Sequence, residues 1–198
     1  MRIHLGGSSR QSLVAARAKL DAAVKGASAG AASELSSHLF FAAEIFASNT
    51  SIRRAFTDPS RDGAAKNALV KDLFGGKISQ SASDLLAEVA GLRWSASGDL
   101  VTVIEQLAIE AEGVAANADG ALDRLESEFF EVSRVIADNF ELRKALVGNG
   151  SVEAKGALVA DVLAKSASAS TVKLAVALVT SLRGRSIEAA FADYLFGL

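Results

Sequence analysis

Three features of the sequence predict an all-α fold. Half of the residues are hydrophobic but only 6% are aromatic, and alanine, the strongest helix former, carries much of the apolar share. Pro59 is the single proline, so the main obstacle to helix is confined to one place. Apolar residues recur at intervals of three and four along most of the chain.

The elements follow in order. Ser8-Ser9-Arg10-Gln11 fits a capping box, and Leu13, Ala16, Leu20, Ala23 and Val24 then mark a helix from about Ser9 to Lys25. After a small-residue loop over 26–30, Leu35, Leu39, Ala43 and Phe46 form the stripe of a second helix ended by Asn49. Thr50 to Thr57 is a short third helix stopped by Asp58-Pro59. Asp62 caps a fourth, with Leu69, Val70, Leu73 and Phe74 inward and Gly75-Gly76 as terminator. Ser81 or Ser83 opens a fifth carrying Leu85, Leu86, Val89 and Leu92, which Trp94 closes beside Arg93. A sixth starts at Ser97-Gly98-Asp99, with Leu100, Val103, Ile104, Leu107 and Ala111 on one face.

The pattern then repeats. Asn49 to Phe56 returns as Asn139 to Leu146, a spacing of 90 residues, and Ala65 to Asp72 returns as Ala154 to Asp161 with six of eight positions identical. A period of that size exceeds a solenoid unit of roughly 20–50 residues and suits a small domain. The expectation is two consecutive helical-bundle domains related by internal duplication, a six-helix bundle over 1–118 and a second over 119–198. In the second, Leu122, Leu125, Phe129, Val132 and Ile136 mirror helix two. Phe140 to Val147, Ser151 to Lys165, Thr171 to Leu182 and Ile187 to Leu195 mirror the helices that follow. No separate counterpart of helix one is evident, unless residues after Glu105 serve both copies.

Chemistry is sparse. There is no cysteine, so disulfides and thiolate metal sites are excluded. The net charge of −2 argues against a nucleic-acid footprint. No apolar run reaches membrane-spanning length, since Leu174 to Leu182 covers about half of one. His4, expected at a frayed end, and His38, expected on the solvent side of helix two, cannot alone make a metal site. Gly75-Gly76-Lys77-Ile78 lacks the spacing of a phosphate loop. Glu110, Glu112, Glu126 and Glu128 read as solvated helix faces rather than acid–base pairs. No catalytic, cofactor or metal residue is therefore assigned. Arg53-Arg54 and Arg143-Lys144 occupy equal places in the two copies. Either one member of each pair caps carbonyls while the other faces water, or they dock an acidic partner. Trp94 is either a core-edge residue or an interface anchor.

Phe40-Phe41-Ala42-Ala43-Glu44-Ile45 through Ile52-Arg53-Arg54-Ala55-Phe56, followed by Lys66, Leu69, Val70, Leu73 and Phe74, resembles the N-terminal domain of the ATP synthase delta subunit family. That family is related to the oligomycin-sensitivity-conferral protein. Ser8-Ser9-Arg10-Gln11-Ser12-Leu13, Leu92-Arg93-Trp94-Ser95 and Arg183-Gly184-Arg185-Ser186-Ile187-Glu188 are similar to a long bacterial form with a duplicated helical domain.

The resemblance implies a non-catalytic peripheral-stalk subunit at the cytoplasmic face of the cell membrane, held there through the ATP synthase complex. Its implied partners are the N-terminal helix of an alpha subunit, gripped in a groove between helices one and five, and the b subunit. In this sequence the groove candidates are Ala16, Leu20, Ala23, Leu86, Val89 and Leu92. In the family a strand-containing C-terminal domain that holds the b subunit follows the helical part. The sequence stops at Leu198, so the second bundle is expected to be cut short and the b-subunit contact incomplete. The competing readings are a helical adaptor or RNA-associated regulator, for which a basic stripe would be the sign, and a small-molecule enzyme. Neither direct membrane insertion nor nucleic-acid binding is expected.

Overall fold

The computed structural model describes residues 5–198 and contains eleven helices, with no strand among the described residues. His4 lies outside them. The chain divides into two compact units, one running to Ala115 and the other from Ala116 to Leu198. The division falls in the last turn of a continuous 22-residue helix, Ser97–Ala118.

The first unit is built from α1 (Gly7–Val24), α2 (Ala29–Ser48), α3 (Thr50–Thr57), α4 (Gly63–Phe74), α5 (Gln80–Ala90) and most of α6 (Ser97–Ala118). Its core gathers the stripes the spacing predicts: Leu35, Leu39, Ala43 and Phe46 of α2, and Leu100, Val103, Ile104, Leu107 and Ala111 of α6. Phe46 meets Phe56 and Phe74 edge-on, with ring centroids 4.8 and 5.7 Å apart, which ties α2 to α3 and α4. Asn49 ends α2 and starts α3, its side chain accepting from the Ile52 amide at 3.1 Å. Asp62 caps α4 through the Ala65 amide at 2.8 Å. At the other end the Gly75 N–H returns to the Lys71 carbonyl, and Gly76 takes the positive φ of 71° that glycine tolerates. Arg53 donates to the Phe46 and Ala47 carbonyls at 2.8 and 3.1 Å and so closes the end of α2, while Arg54 is exposed.

Two boundaries differ from expectation. α1 has no capping box: Gly6 is its N-cap without a side-chain bond, because the serines behind it are engaged elsewhere. α5 starts two to four residues early, since Ser79, in extended backbone, accepts from the Ala82 amide and serves as the cap.

The second unit holds α7 (Leu122–Asp138), α8 (Phe140–Val147), α9 (Val152–Leu163), α10 (Ala169–Thr180) and α11 (Ile187–Gly197). Leu125, Phe129, Val132 and Ile136 of α7 are buried, and Phe129 packs on Phe191 and Tyr194 of α11 at 4.9 and 6.0 Å. Asn139 caps α8 through the Leu142 amide as Asn49 caps α3. Arg143 reaches Glu188 at 3.8 Å instead of closing carbonyls, and Lys144 is exposed. Gly156 sits where α9 meets α10: a Cβ there would lie 3.1 Å from Thr180 Cγ2 and 3.4 Å from Val176 Cγ1.

Glu128, read from sequence as part of a solvated face, points instead at the start of α10. Its Oε2 accepts from the Ser168 amide and the Thr171 hydroxyl, both at 2.7 Å, and its Oε1 from Arg124 Nε at 2.6 Å. Partial burial pushes its pKa up. The bonds from Ser168, Thr171 and Arg124 outweigh that and hold the carboxyl at about 2, against an ordinary 4.5.

Two outcomes are expected. Gly156→Leu inserts bulk into a closed helix–helix contact and lowers the urea-unfolding free energy by about 1–3 kcal/mol. Glu128 contributes stability in full above pH 4.5, and this is lost as the pH falls through about 2. Glu128→Gln therefore costs about 2 kcal/mol at pH 7 and flattens the acid limb of a urea-midpoint against pH curve relative to the parent protein.

Candidate functional site

α1 and α5 pack against one another in the first unit, and the seam between them is the candidate site. α5 is eleven residues long and would not persist alone, so both its ends are held. Its last carbonyl, on Ala90, accepts from the buried Lys66 ammonium at 3.0 Å. Burial pushes the Lys66 pKa below its ordinary value, and the nearby Asp58 carboxylate partly opposes this. Beyond α5 the chain is clipped to the first turns of α1. Ser95 N donates to Ser9 Oγ at 2.8 Å, the hydroxyls of Ser8 and Ser95 are 2.7 Å apart, and Ser12 Oγ donates to the Arg93 carbonyl at 2.5 Å. Further along, Lys19 Nζ meets Glu88 Oε2 at 2.9 Å across the surface of the seam. These contacts run α1 and α5 antiparallel: residue 12 is beside 93, and residue 19 beside 88.

The six groove candidates separate under this geometry. Ala16, Leu20, Leu86 and Val89 are 0–2% exposed and belong to the core of the unit. Leu92, expected on the fifth helix, lies in the turn beyond the Gly91 cap of α5 and is half-buried, and Ala23 is exposed. The periodicity located the stripe but not its depth, because α1 and α5 use most of their apolar faces on each other and on the bundle. The surface of the seam carries half-buried Ala15 and Leu92 between the Ser12 and Lys19 contacts, with Ala23 beyond. Ala15, Lys19 and Glu88 were not singled out from the sequence, and Ser8, Ser9, Ser12 and Ser95 were singled out there for a capping box and for the resemblance, not as a clip. The 8, 9, 12 spacing of the serines, which places them on one side of a helix, was the available signal.

Other side chains also moved from their expected places. Trp94 lies in the loop after α5 rather than closing the helix; it packs half-buried on the core, and its indole N–H is buried without a hydrogen bond. His38 is half-buried rather than on the solvent side of α2, with Nδ1 3.2 Å from the Ser79 amide. Glu110 binds Arg17 at 2.6 Å and Gln106 at 2.9 Å, tying α1 to α6. Glu112 is fully buried and accepts from Ser33 of α2. Glu126 alone of the four carboxylates is exposed as expected. Glu110, Glu112 and Glu128 hold helix against helix, and among the described residues no group of three His, Asp or Glu is placed to hold a metal ion. A second apolar groove, of about 280 Å³, lies between α7 and α11 of the other unit, lined by Phe130, Ile136, Ile187, Phe191 and Leu195.

Burial separates structure from surface in the seam. Leu20→Asp and Val89→Asp should abolish cooperative unfolding, since each places an unpaired charge in the core. Leu92→Asp should change stability by about 1 kcal/mol or less. Circular dichroism during thermal melting distinguishes the two classes.

No protein-family model matches the chain. It is similar to proteins named ATP synthase subunit delta from several bacteria. Identity to that of Streptomyces coelicolor is 42% over 183 residues, covering 92% of this chain and 66% of the relative. Identity to that of Streptomyces griseus is 38% over 186 residues, 93% of the chain and 68% of the relative. For Acidothermus cellulolyticus it is 37% over 191 residues, 95% and 70%. The chain thus spans about two thirds of the length of the curated relatives it matches. Similarity at this level across almost the whole helical sequence, in several relatives that carry one name, means that the chain belongs to the ATP synthase delta subunit family.

Proposed function

We propose that the chain is a non-catalytic stator component of an ATP synthase, and that its first unit grips the N-terminal helix of an alpha subunit along the α1–α5 seam. The observation that carries this reading is the seam itself. It has a shallow apolar track of Ala15 and Ala23 on α1 with Leu92 in the turn just beyond α5, and the serine clip and the Lys19–Glu88 pair hold α1 and α5 in place beside it. Small side chains along such a track let a partner helix approach closely, and the half-buried Leu92 offers an anchor of the kind used in helix-in-groove recognition. The second unit has no helix corresponding to α1 among its described residues, so the seam is proposed for the first unit.

In this reading the chain joins the alpha/beta head to the b-subunit stalk and resists rotation of the head during proton-driven synthesis. It sits at the cytoplasmic face of the membrane through the complex. No helix among the described residues is long and apolar enough to cross a membrane, which accords with attachment through other subunits. The role as a free helical adaptor or RNA-associated regulator is the second reading; the net charge of −2 gives it little electrostatic support.

Calorimetric titration of the full chain with a peptide of the alpha-subunit N-terminus tests the proposal. Binding is expected, with Leu92→Asp and Ala15→Trp each weakening it about tenfold or more while leaving the melting curve in place. Absence of binding both to the peptide and to the assembled alpha/beta head would overturn the stator reading. Co-purification with the b subunit tests the second partner.

A further inference from the structure

The corner between α7 and α8 in the second unit leaves large apolar side chains in solvent. Val135 on α7 is 50% exposed, and Phe140 and Val147 on α8 are 61% and 58% exposed. Phe140 and Val147 are seven residues apart and so share one face of α8. Beside them runs an open groove of about 500 Å³, lined by Val135 and Phe140 together with Glu131, Arg134, Asp138 and Glu141. Arg134 Nη1 lies 3.4 Å from Glu131, so the cation of the groove answers only one of its three carboxylates. The groove has an apolar centre and a net negative rim.

The corner between α2 and α3 of the first unit, 90 positions earlier, is built in the same way. Asn49 caps α3 as Asn139 caps α8, and Phe56 is buried as Leu146 is. Yet Thr50 and Thr57 stand in the places of Phe140 and Val147, and Ser48 and Ser51 in those of Asp138 and Glu141. Ile45, in the place of Val135, packs against the core. Such a corner therefore folds without an exposed aromatic ring or a carboxylate rim, and the fold does not demand them in the second unit. Exposed apolar side chains gathered into one patch mark a contact surface.

We propose that the α7–α8 corner docks a protein segment in which lysine or arginine side chains flank an apolar anchor. The anchor covers Val135 and Phe140, and the cations meet the exposed Asp138 and Glu141. The sign of the charge selects this occupant. In a two-fold dimer through this corner the carboxylates of one copy would face those of the other, and an anionic lipid surface would be repelled in the same way. A cationic segment gains from the rim while its anchor removes apolar surface from water. Lys144, also exposed on α8, is not part of the groove lining. The site lies in the second unit and is independent of what the α1–α5 seam binds.

Amide NMR spectra of the full chain test the proposal during titration with a synthetic helical peptide of lysine and leucine whose leucines lie on one face. A glutamate–leucine peptide of the same spacing is the control. Saturable shifts centred on residues 131–147 are expected with the first peptide and none with the second. Phe140→Thr, and separately Asp138→Ser combined with Glu141→Ser, introduce the residues found in the first unit. Each should weaken binding about tenfold while leaving the thermal melt in place. Glu153→Ser, which removes an exposed carboxylate of α9, should have no effect. No binding of the lysine–leucine peptide, shifts outside the corner, or an affinity untouched by Phe140→Thr would overturn the proposal. An equal loss in Glu153→Ser would overturn it too, because it reads as unspecific attraction to an acidic protein.

Discussion

A helix of eleven residues has more unsatisfied backbone groups at its two ends than it can spare, and α5 is such a helix. The first unit is organised around this constraint. His38 and the Ser79 hydroxyl take amides at its start, Lys66 supplies a donor to its last turn, and the loop beyond it is bonded to three serines of α1. Because each holding group comes from a different helix, satisfying α5 also fixes α1, α2 and α4 around it. Apolar burial then supplies the bulk of the stability. Each fully buried leucine such as Leu20 or Leu86 contributes about 1.5–3 kcal/mol relative to exposure.

The second unit meets the same need with other groups. Glu128 and Ser168 hold the start of α10, while Arg185 donates to the Ser181 and Leu182 carbonyls beyond its end. Where Arg53 closes the end of α2, Arg143 instead reaches α11. Matching residues in a repeated sequence therefore keep their helix positions but not always their partners. Caps within three residues of their target, such as Asn49 and Asn139, are alike in both units because nothing distant enters the bond.

The same distinction explains which parts of the site were legible. The 3.6-residue spacing marked Ala16, Leu20, Leu86 and Val89 as one apolar set, and the structure buries them together. Spacing carries no information about depth, so it did not show that four of the six residues the resemblance implied for a groove lie in the core of the unit. The shallow positions, Ala15 and the surface pair Lys19–Glu88, look unremarkable in sequence because their role exists only where two helices 69 residues apart come together. His38, Glu112 and Glu128 were misread for a related reason. A polar residue on a helix flank is solvated by default, and only a neighbour from elsewhere in the chain can give it buried partners.

By itself the sequence determined the all-α class, the eleven helical stripes, a few of their caps such as Asn49 and Asp62, and the similarity that places the chain in the delta subunit family. These depend on propensity, period and short-range hydrogen bonds, which are written within a few residues of one another. The tertiary structure alone decided which apolar residues are core and which remain on the α1–α5 seam. It also decided that three serines of α1 clasp Ser95 and the Arg93 carbonyl, and that one histidine and one glutamate hold equivalent helix ends. Those outcomes depend on bonds spanning 40 to 87 residues, and no local pattern specifies where such partners meet.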